Sequence, residues 1–353
     1  MGKLSCIYGD RRFIELFRHF MQTEASRRML SLALAATMGL GLGPNQKSDT
    51  RYVLLVMEGH NIRLQPQVNG LRDGLEELKY VEGENLNWQR IDGGTSEELR
   101  ANLKKLLLQR QRVDVMVTLG TTETNVAKEI AQKVPTVFLP AADPVKSGFV
   151  HSLASPGTNL TGLTFFTDSE NLGKQLEVFK QVVPSLDKIG VLFDGRSKST
   201  ALSESWNRFA VVASWLGIHL IEIPVTSAAE ASRKIGSLPN PAMSAGIFVF
   251  CSGLFKDVEG LAAIAIKRKL PLFGCNAFQV AEQNVLLSYA PDLYSLGYRG
   301  AWFVDRILKG AKPQDLPVET PRKFELVINN KTAGEIGLKI PPEMLMLADR
   351  VFR

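Results

Sequence analysis

The sequence predicts an α/β protein made of two doubly wound parallel-sheet lobes. Three observations point there. From residue 51 onward, apolar runs of strand length alternate with stretches whose apolar residues recur at helical spacing. Near residue 162 this alternation stops and then restarts, so the βα units fall into two series. At 353 residues, the chain is also long enough to bury two cores. Repeated βα units give parallel sheets covered by helices on both faces, and strands buried on both faces read as continuous apolar runs.

In the first series, Tyr52 to Met57 make a fully apolar strand, and Val68, Leu71, Leu75 and Leu78 place one stripe on the helix that follows. Residues 85–90 form the second strand. Thr95 with Glu98 makes a capping box before the stripe Leu99, Leu103, Leu106 and Leu107. Residues 113–118 and 136–139 are the third and fourth strands, separated by a helix that opens after Gly120.

The second series begins with a helix carrying Leu172, Leu176, Phe179 and Val183. Strands follow at 188–193, 218–223, 246–250 and 270–274, with helices near 201–216, 228–237 and 257–268 between them. The tail adds a strand at 285–289, a helix at 292–309 and a strand at 323–328. These are too few for a third domain, so they complete the two existing lobes. The expected division is 51–162 with 290–315 for the first lobe, and 163–289 with 316–353 for the second. No linker rich in Pro, Gly or Ser lies between them, so several short crossings, not one tether, should join the lobes.

Composition narrows function. The chain is 45% hydrophobic and 22% charged, which is globular and not disordered. The formal charge of +6 invites a nucleic-acid reading. Half of that excess lies in the first 50 residues, where Lys3, Arg11, Arg12, Arg18, Arg27, Arg28 and Lys47 face Asp10, Glu15, Glu24 and Asp49. The rest is too dispersed to be an electrostatic footprint for DNA or RNA. The 4 histidines and 3 cysteines form no metal-ligand spacing, and no cofactor motif is present. Cys251 and Cys275 each close a predicted strand; they read as buried small hydrophobes or as a disulfide pair.

Residues 29–43 are uncharged and apolar, follow Arg27-Arg28, and precede the polar Pro44-Asn45-Gln46-Lys47. The run is shorter than the roughly 20 residues of a membrane-spanning helix. Residues 1–46 therefore read as a secretory leader, with Met21 or Met29 as alternative starts. Its competitor is a first helix of a cytoplasmic protein.

Several blocks carry a family resemblance. One is Ala142-Asp143-Pro144-Val145 with Ser152-Leu153-Ala154-Ser155-Pro156-Gly157-Thr158-Asn159-Leu160-Thr161-Gly162-Leu163-Thr164. Another is Leu78-Lys79-Tyr80-Val81-Glu82-Gly83-Glu84-Asn85-Leu86. Near the end stand Leu308-Lys309-Gly310-Ala311-Lys312-Pro313, Lys323-Phe324-Glu325-Leu326-Val327-Ile328-Asn329 and Ile340-Pro341-Pro342-Glu343. Together they resemble the ABC-transporter substrate-binding proteins related to the tryptophan/tyrosine-binding group. The resemblance implies a type I periplasmic-binding-protein fold with three crossings, ligand capture between the lobes and no catalysis. It also implies a periplasmic location, a small-molecule ligand, ABC permease and ATPase partners, and a mature chain that is monomeric and not inserted in the membrane.

In doubly wound sheets, ligands bind beyond the carboxyl ends of the strands. On the first lobe this selects Glu58 and His60 after strand one, Thr121 and Thr122 after strand three, and Asp143 after strand four. A helix N-terminus behind Thr121 suits an anion, whereas Thr121 could simply cap that helix. Asp143 could receive a ligand ammonium or cap a short helix at 145–153. On the second lobe the same rule selects Asp194, Ser252, Phe255, Asn276 and Phe278. Phe255 could stack on a ligand or pack in the core. Glu58-Gly59-His60 and Asp194-Gly195 depart from the family's pattern, so the identity of the ligand is not carried over. A ligand sensor of the same fold is the alternative reading. A two-lobed transferase is a remote one, because no P-loop, no GxGxxG after strand one and no nucleophile constellation is present.

Overall fold

The computed structural model describes residues 50–353, apart from 59–61, 110–111, 166–169, 197–199 and 239–244. The predicted leader and His60 lie outside the described residues. Among those described, the strands form two sheets.

The first sheet has five strands in the order β2-β1-β3-β4-β5, all parallel. They are β1 (Arg51–Glu58), β2 (Leu86–Gly93), β3 (Val115–Thr118), β4 (Thr136–Ala141) and β5 (Leu160–Thr164). Its helices are α1 (Gln65–Glu77), α2 (Ser96–Gln109) and α3 (Thr121–Ile130). Alternation along β1 divides the core. Val53, Leu55 and Met57 face a cluster with Val68, Leu71 and Leu75 of α1. Leu54 and Val56 face the opposite cluster, with Leu99, Leu103 and Val126 of α2 and α3. The capping box of α2 closes one residue earlier than expected. Thr95 accepts from the Glu98 N–H at 3.2 Å, and the Glu98 carboxylate accepts from the Gly94 N–H at 2.8 Å.

The second sheet has seven strands in the order β12-β11-β10-β9-β8-β6-β7. They are β6 (Lys188–Asp194), β7 (His219–Val225), β8 (Ala245–Val249), β9 (Leu272–Gly274), β10 (Leu287–Pro291), β11 (Phe324–Asn329) and β12 (Arg350–Phe352). Strands β6 to β10 run parallel. β11 pairs antiparallel with β10, because the chain re-enters this lobe from the cleft side. The sheet is flanked by α4 (Glu170–Val182), α5 (Thr200–Trp215), α6 (Ala228–Gly236), α7 (Glu259–Lys267) and the short α8 (Ala277–Glu282). One face of its core is aromatic. Phe248 stacks on Phe273 at 4.7 Å and meets Phe209 at 4.9 Å, and Phe179 meets Phe273 at 5.5 Å.

The tail returns to each lobe in turn. Helix α9 (Leu293–Leu308) packs on α1 and against the first sheet. The approach is close enough to require glycine: a Cβ on Gly297 would sit 1.9 Å from the Gln67 carbonyl oxygen, and one on Gly70 would sit 2.1 Å from that of Tyr294. β11, α10 (Asn330–Ile336), α11 (Pro342–Leu347) and β12 then finish the second lobe.

The crossings fall slightly beyond the expected residues. Leu163 and Thr164 belong to β5 in the first sheet. Glu319 also stays there, its carbonyl accepting from the Thr164 N–H at 2.9 Å and its carboxylate held by both arms of Arg299 at 2.6 and 2.9 Å. The third crossing therefore lies between Glu319 and Phe324, not at 316. Asp292 and Lys323 tie the second crossing to the third. The Asp292 N–H donates to the Lys323 carbonyl at 3.0 Å, and the side chains pair at 2.7 Å. The helix expected at 145–153 does not form. A tight turn stands there, closed by the Ser147 N–H on the Asp143 carbonyl at 2.9 Å. Helices α8, α10 and α11 and strand β12 are too short to show a hydrophobic period, and the sequence pattern does not predict them.

Candidate ligand-binding cleft

The carboxyl ends of β1 to β5 lie along one edge of the first sheet and those of β6 to β10 along one edge of the second, and the two edges are the walls of the cleft that doubly wound sheets lead one to expect. On the first wall, β1 closes at Glu58, opposite Gly93 of β2. Gly120 is the N-cap of α3, and no side chain caps that helix, so Thr121 is not the cap that its position suggested. Its hydroxyl accepts instead from the Ala142 N–H at 2.9 Å, tying the end of β3 to the end of β4. Thr122 is half-buried on the first turn of α3, where the buried Glu123 carboxylate folds back beside the N-cap Gly120. The Asp143 carboxylate accepts from the Lys146 N–H at 3.1 Å and lies 3.7 Å from the Lys146 ammonium. It thus caps its own turn.

On the second wall, Asp194 is gripped by Arg196. The guanidinium donates to its two oxygens at 2.9 and 2.7 Å, and the Arg196 N–H adds a bond at 3.0 Å. The Arg196 hydrogen bond outweighs desolvation and holds the Asp194 carboxyl below the usual range. The arginine side chain remains 61% exposed; the pair is neutral overall, and the guanidinium N–H groups that Asp194 does not use face solvent. Ser252 opens the 3-10 turn Gly253–Phe255, its hydroxyl accepting from the Leu254 N–H at 3.3 Å. Asn276 is the N-cap of α8, accepting from the Gln279 N–H at 3.1 Å, and Phe278 is half-buried on the first turn of that helix.

Phe255 does not line the cleft. Its ring is 2% exposed and packs with Val258, Leu261 and Val280, because the 3-10 turn carries the side chain inward. The core-packing reading replaces the stacking one.

Of the two readings open for the thiols, the structure has the pair. Cys251 and Cys275 form a disulfide with their Cα atoms 5.4 Å apart. The bond joins the segments beyond the adjacent strands β8 and β9, and so sets Ser252 and Asn276 on one connected ledge.

Sequence reasoning missed two features of this wall. Arg196 is one, although its spacing from Asp194 across Gly195 suits a turn-borne fork. The other is a set of half-buried aromatic rings at the strand ends: Phe193 of β6, Phe250 just beyond β8, and Trp206 of α5, which lies 6.2 Å from Phe193 and 6.3 Å from Phe250. Trp206 also lies 6.3 Å from the core ring Phe209, and both Trp206 and Phe250 pack one side against that core. Among the described residues no group of His, Cys, Asp and Glu could hold a metal ion.

Comparison with known proteins agrees with this architecture. A structure of a conserved domain protein from Vibrio cholerae superposes with a TM-score of 0.74 at 26% identity, covering 86% of this chain and 99% of that one. A Streptococcus pneumonia ABC domain in complex with L-Trp gives 0.73 at 22% identity, with 86% and 100% covered. The chain is 22% identical over 334 residues to a tyrosine-binding protein of Clostridioides difficile, spanning 89% of this chain and 93% of that protein. The fold is that of type I periplasmic binding proteins. A family model for ABC transporter substrate binding proteins matches residues 53–352, and the chain belongs to that family, whose members are binding proteins and not enzymes.

Proposed function

We propose that this protein is exported and captures an amino acid with an aromatic side chain between its lobes, for delivery to an ABC permease and ATPase. The observation that carries the ligand class is the set of half-buried rings Phe193, Trp206 and Phe250 at the ends of β6 and β8, with Arg196 two residues beyond the end of β6. Rings at these strand ends stack an aromatic side chain, and the guanidinium N–H groups that Asp194 leaves unused donate to an α-carboxylate. On the facing wall, Thr122 offers a hydroxyl to the ligand, while the Glu123 carboxylate beside the start of α3 favours the ligand's ammonium end. A ligand touching both walls favours the closed arrangement and so drives hinge closure. The tryptophan and tyrosine named for the two relatives above are consistent with this class.

The disulfide supports export, since such bonds persist in oxidising compartments such as the periplasm. Residues 1–46 act as the leader in this reading, and the mature protein works as a monomer. Among the described residues no helix is long and apolar enough to cross a membrane.

The test is thermal unfolding with L-tryptophan, L-tyrosine, L-phenylalanine, L-arginine and L-glutamate. A ligand at 100 times its Kd stabilises by about 2.7 kcal/mol. Stabilisation by the aromatic members alone supports the proposal, and a response to the charged members only overturns the ligand class. Intact mass of protein recovered from the periplasm checks removal of the leader.

A further inference from the structure

We infer that Arg63 latches the two lobes across the mouth of the cleft by closing on a rigid main-chain shelf of the second lobe, an inference that rests on the capture reading above. Arg63 stands in the 3-10 turn Ile62–Leu64 between β1 and α1, on the first lobe. Its guanidinium donates to the main-chain carbonyl of Lys256, 193 residues away on the second lobe.

The shelf that carries this carbonyl is fixed on both sides. Before it, Cys251 is bonded to Cys275, and the ring of Phe255 is buried in the core. The Phe255 carbonyl accepts from the Gln279 side chain at 2.8 Å. After it, the Val258 N–H donates to Gln283 at 3.1 Å, and Gln283 in turn donates to Asp257 at 3.0 Å. Residues 255, 257 and 258 are thus each held from below, and the carbonyl between them has a set direction.

A guanidinium on a main-chain oxygen is a charge-assisted bond, stronger than one between neutral groups. It exists only while the lobes are together, so it has the differential character needed to shift an open–closed equilibrium. One such bond biases closure and still lets the cleft reopen. Because the acceptor belongs to the main chain, the latch does not depend on the side chain at 256. That distinguishes it from an ordinary ion pair between lobes.

The experiment measures the distance between spin labels on the exposed positions Lys104 of α2 and Lys267 of α7. Both are changed to cysteine in the full chain, with Cys6→Ser and the native disulfide intact. Without ligand, Arg63→Ala shifts the distribution to longer distances, Arg63→Lys shifts it part of the way, and Lys256→Ala leaves it in place. An unchanged distribution in Arg63→Ala overturns the latch, as does a shift in Lys256→Ala equal to that in Arg63→Ala. If Arg63→Ala does not fold, the Arg63→Lys comparison decides. The second readout is dissociation of L-tryptophan, which accelerates at least about fivefold in Arg63→Ala. If L-tryptophan binds and neither readout moves, the latch fails and capture stands. If it does not bind the parent protein but the distances shift as stated, the ligand class fails and the latch stands.

Discussion

The two lobes share an architecture and reach it by different packing. The first lobe has a mainly aliphatic core around an all-parallel sheet, with Phe303 on one side and the pair Phe138 and Phe149 in a separate cluster, and its decisive contact is between main chains, where α1 and α9 meet at Gly70 and Gly297. The second lobe packs Phe179, Phe209, Phe248 and Phe273 against one another and adds a disulfide and an antiparallel strand. Close main-chain approach tolerates almost no added volume. A ring cluster holds by sheer buried area and loses most when a ring is removed. The same fold therefore fails in opposite ways in its two halves, by overfilling in one and by hollowing in the other.

The largest expected effect is hollowing. Phe248→Ala removes a ring 1% exposed and in contact with several others, and should cost about 4 kcal/mol in chemical denaturation. Next comes the staple. Replacing both Cys251 and Cys275 by alanine frees a loop with a sequence separation of 24, and should cost about 3 kcal/mol in the same assay. Overfilling the first lobe follows. Gly297→Ala places a Cβ against the Gln67 carbonyl and should cost about 2 kcal/mol. Calorimetry of these three variants sharpens the contrast. If the lobes melt separately, Gly297→Ala lowers one transition and Phe248→Ala the other; one shared transition in all variants makes the lobes a single cooperative unit.

The smallest effect lies at the hinge, which belongs to neither lobe. Burial pushes the Asp292 carboxyl up, but the hydrogen bonds from Lys323 and Ser295 outweigh it and leave it below its ordinary 3.8. The Asp292 hydrogen bond raises Lys323 above its ordinary 10.5. A depressed carboxyl contributes stability above its ordinary value and loses it as pH falls through the folded one. A raised ammonium contributes below its ordinary value and loses it as pH rises through the folded one. The tie is therefore intact from about pH 4 to pH 10. Asp292→Asn, which keeps the cap of α9, should cost under about 1 kcal/mol in that window and nothing in stronger acid. Unfolding midpoints against pH check this.

What can be read from the sequence follows from how locally each feature is encoded. The βα alternation is local, so the strands near Val53, Val191 and Phe248 and most of the long helices are legible. Counting elements leaves the tail no place except the two existing lobes, but does not fix the residues at which it crosses. The cleft is legible only as a set of strand ends. Phe255 is misplaced because a 3-10 turn gives no period from which to tell inside from outside. Trp206 is hidden because it shares a helix with the core residue Phe209. The contact from Arg63 to Lys256 and the pairing of Cys251 with Cys275 join segments that the linear order keeps apart.

The order of crossings also sets a schedule for biosynthesis. The sheet of the first lobe is complete once residue 164 has been made, but α9, which covers one of its faces, ends only at Leu308. Most of the second lobe is translated in between. Until then the apolar cluster that α9 completes, with Val53, Leu55, Val117 and Leu139 on its sheet side, lacks part of its covering surface. A chain emerging amino end first thus carries an open sheet face through much of its synthesis, a state prone to association with other chains and suited to a holding chaperone. The first lobe completes its core only when the last third of the chain arrives.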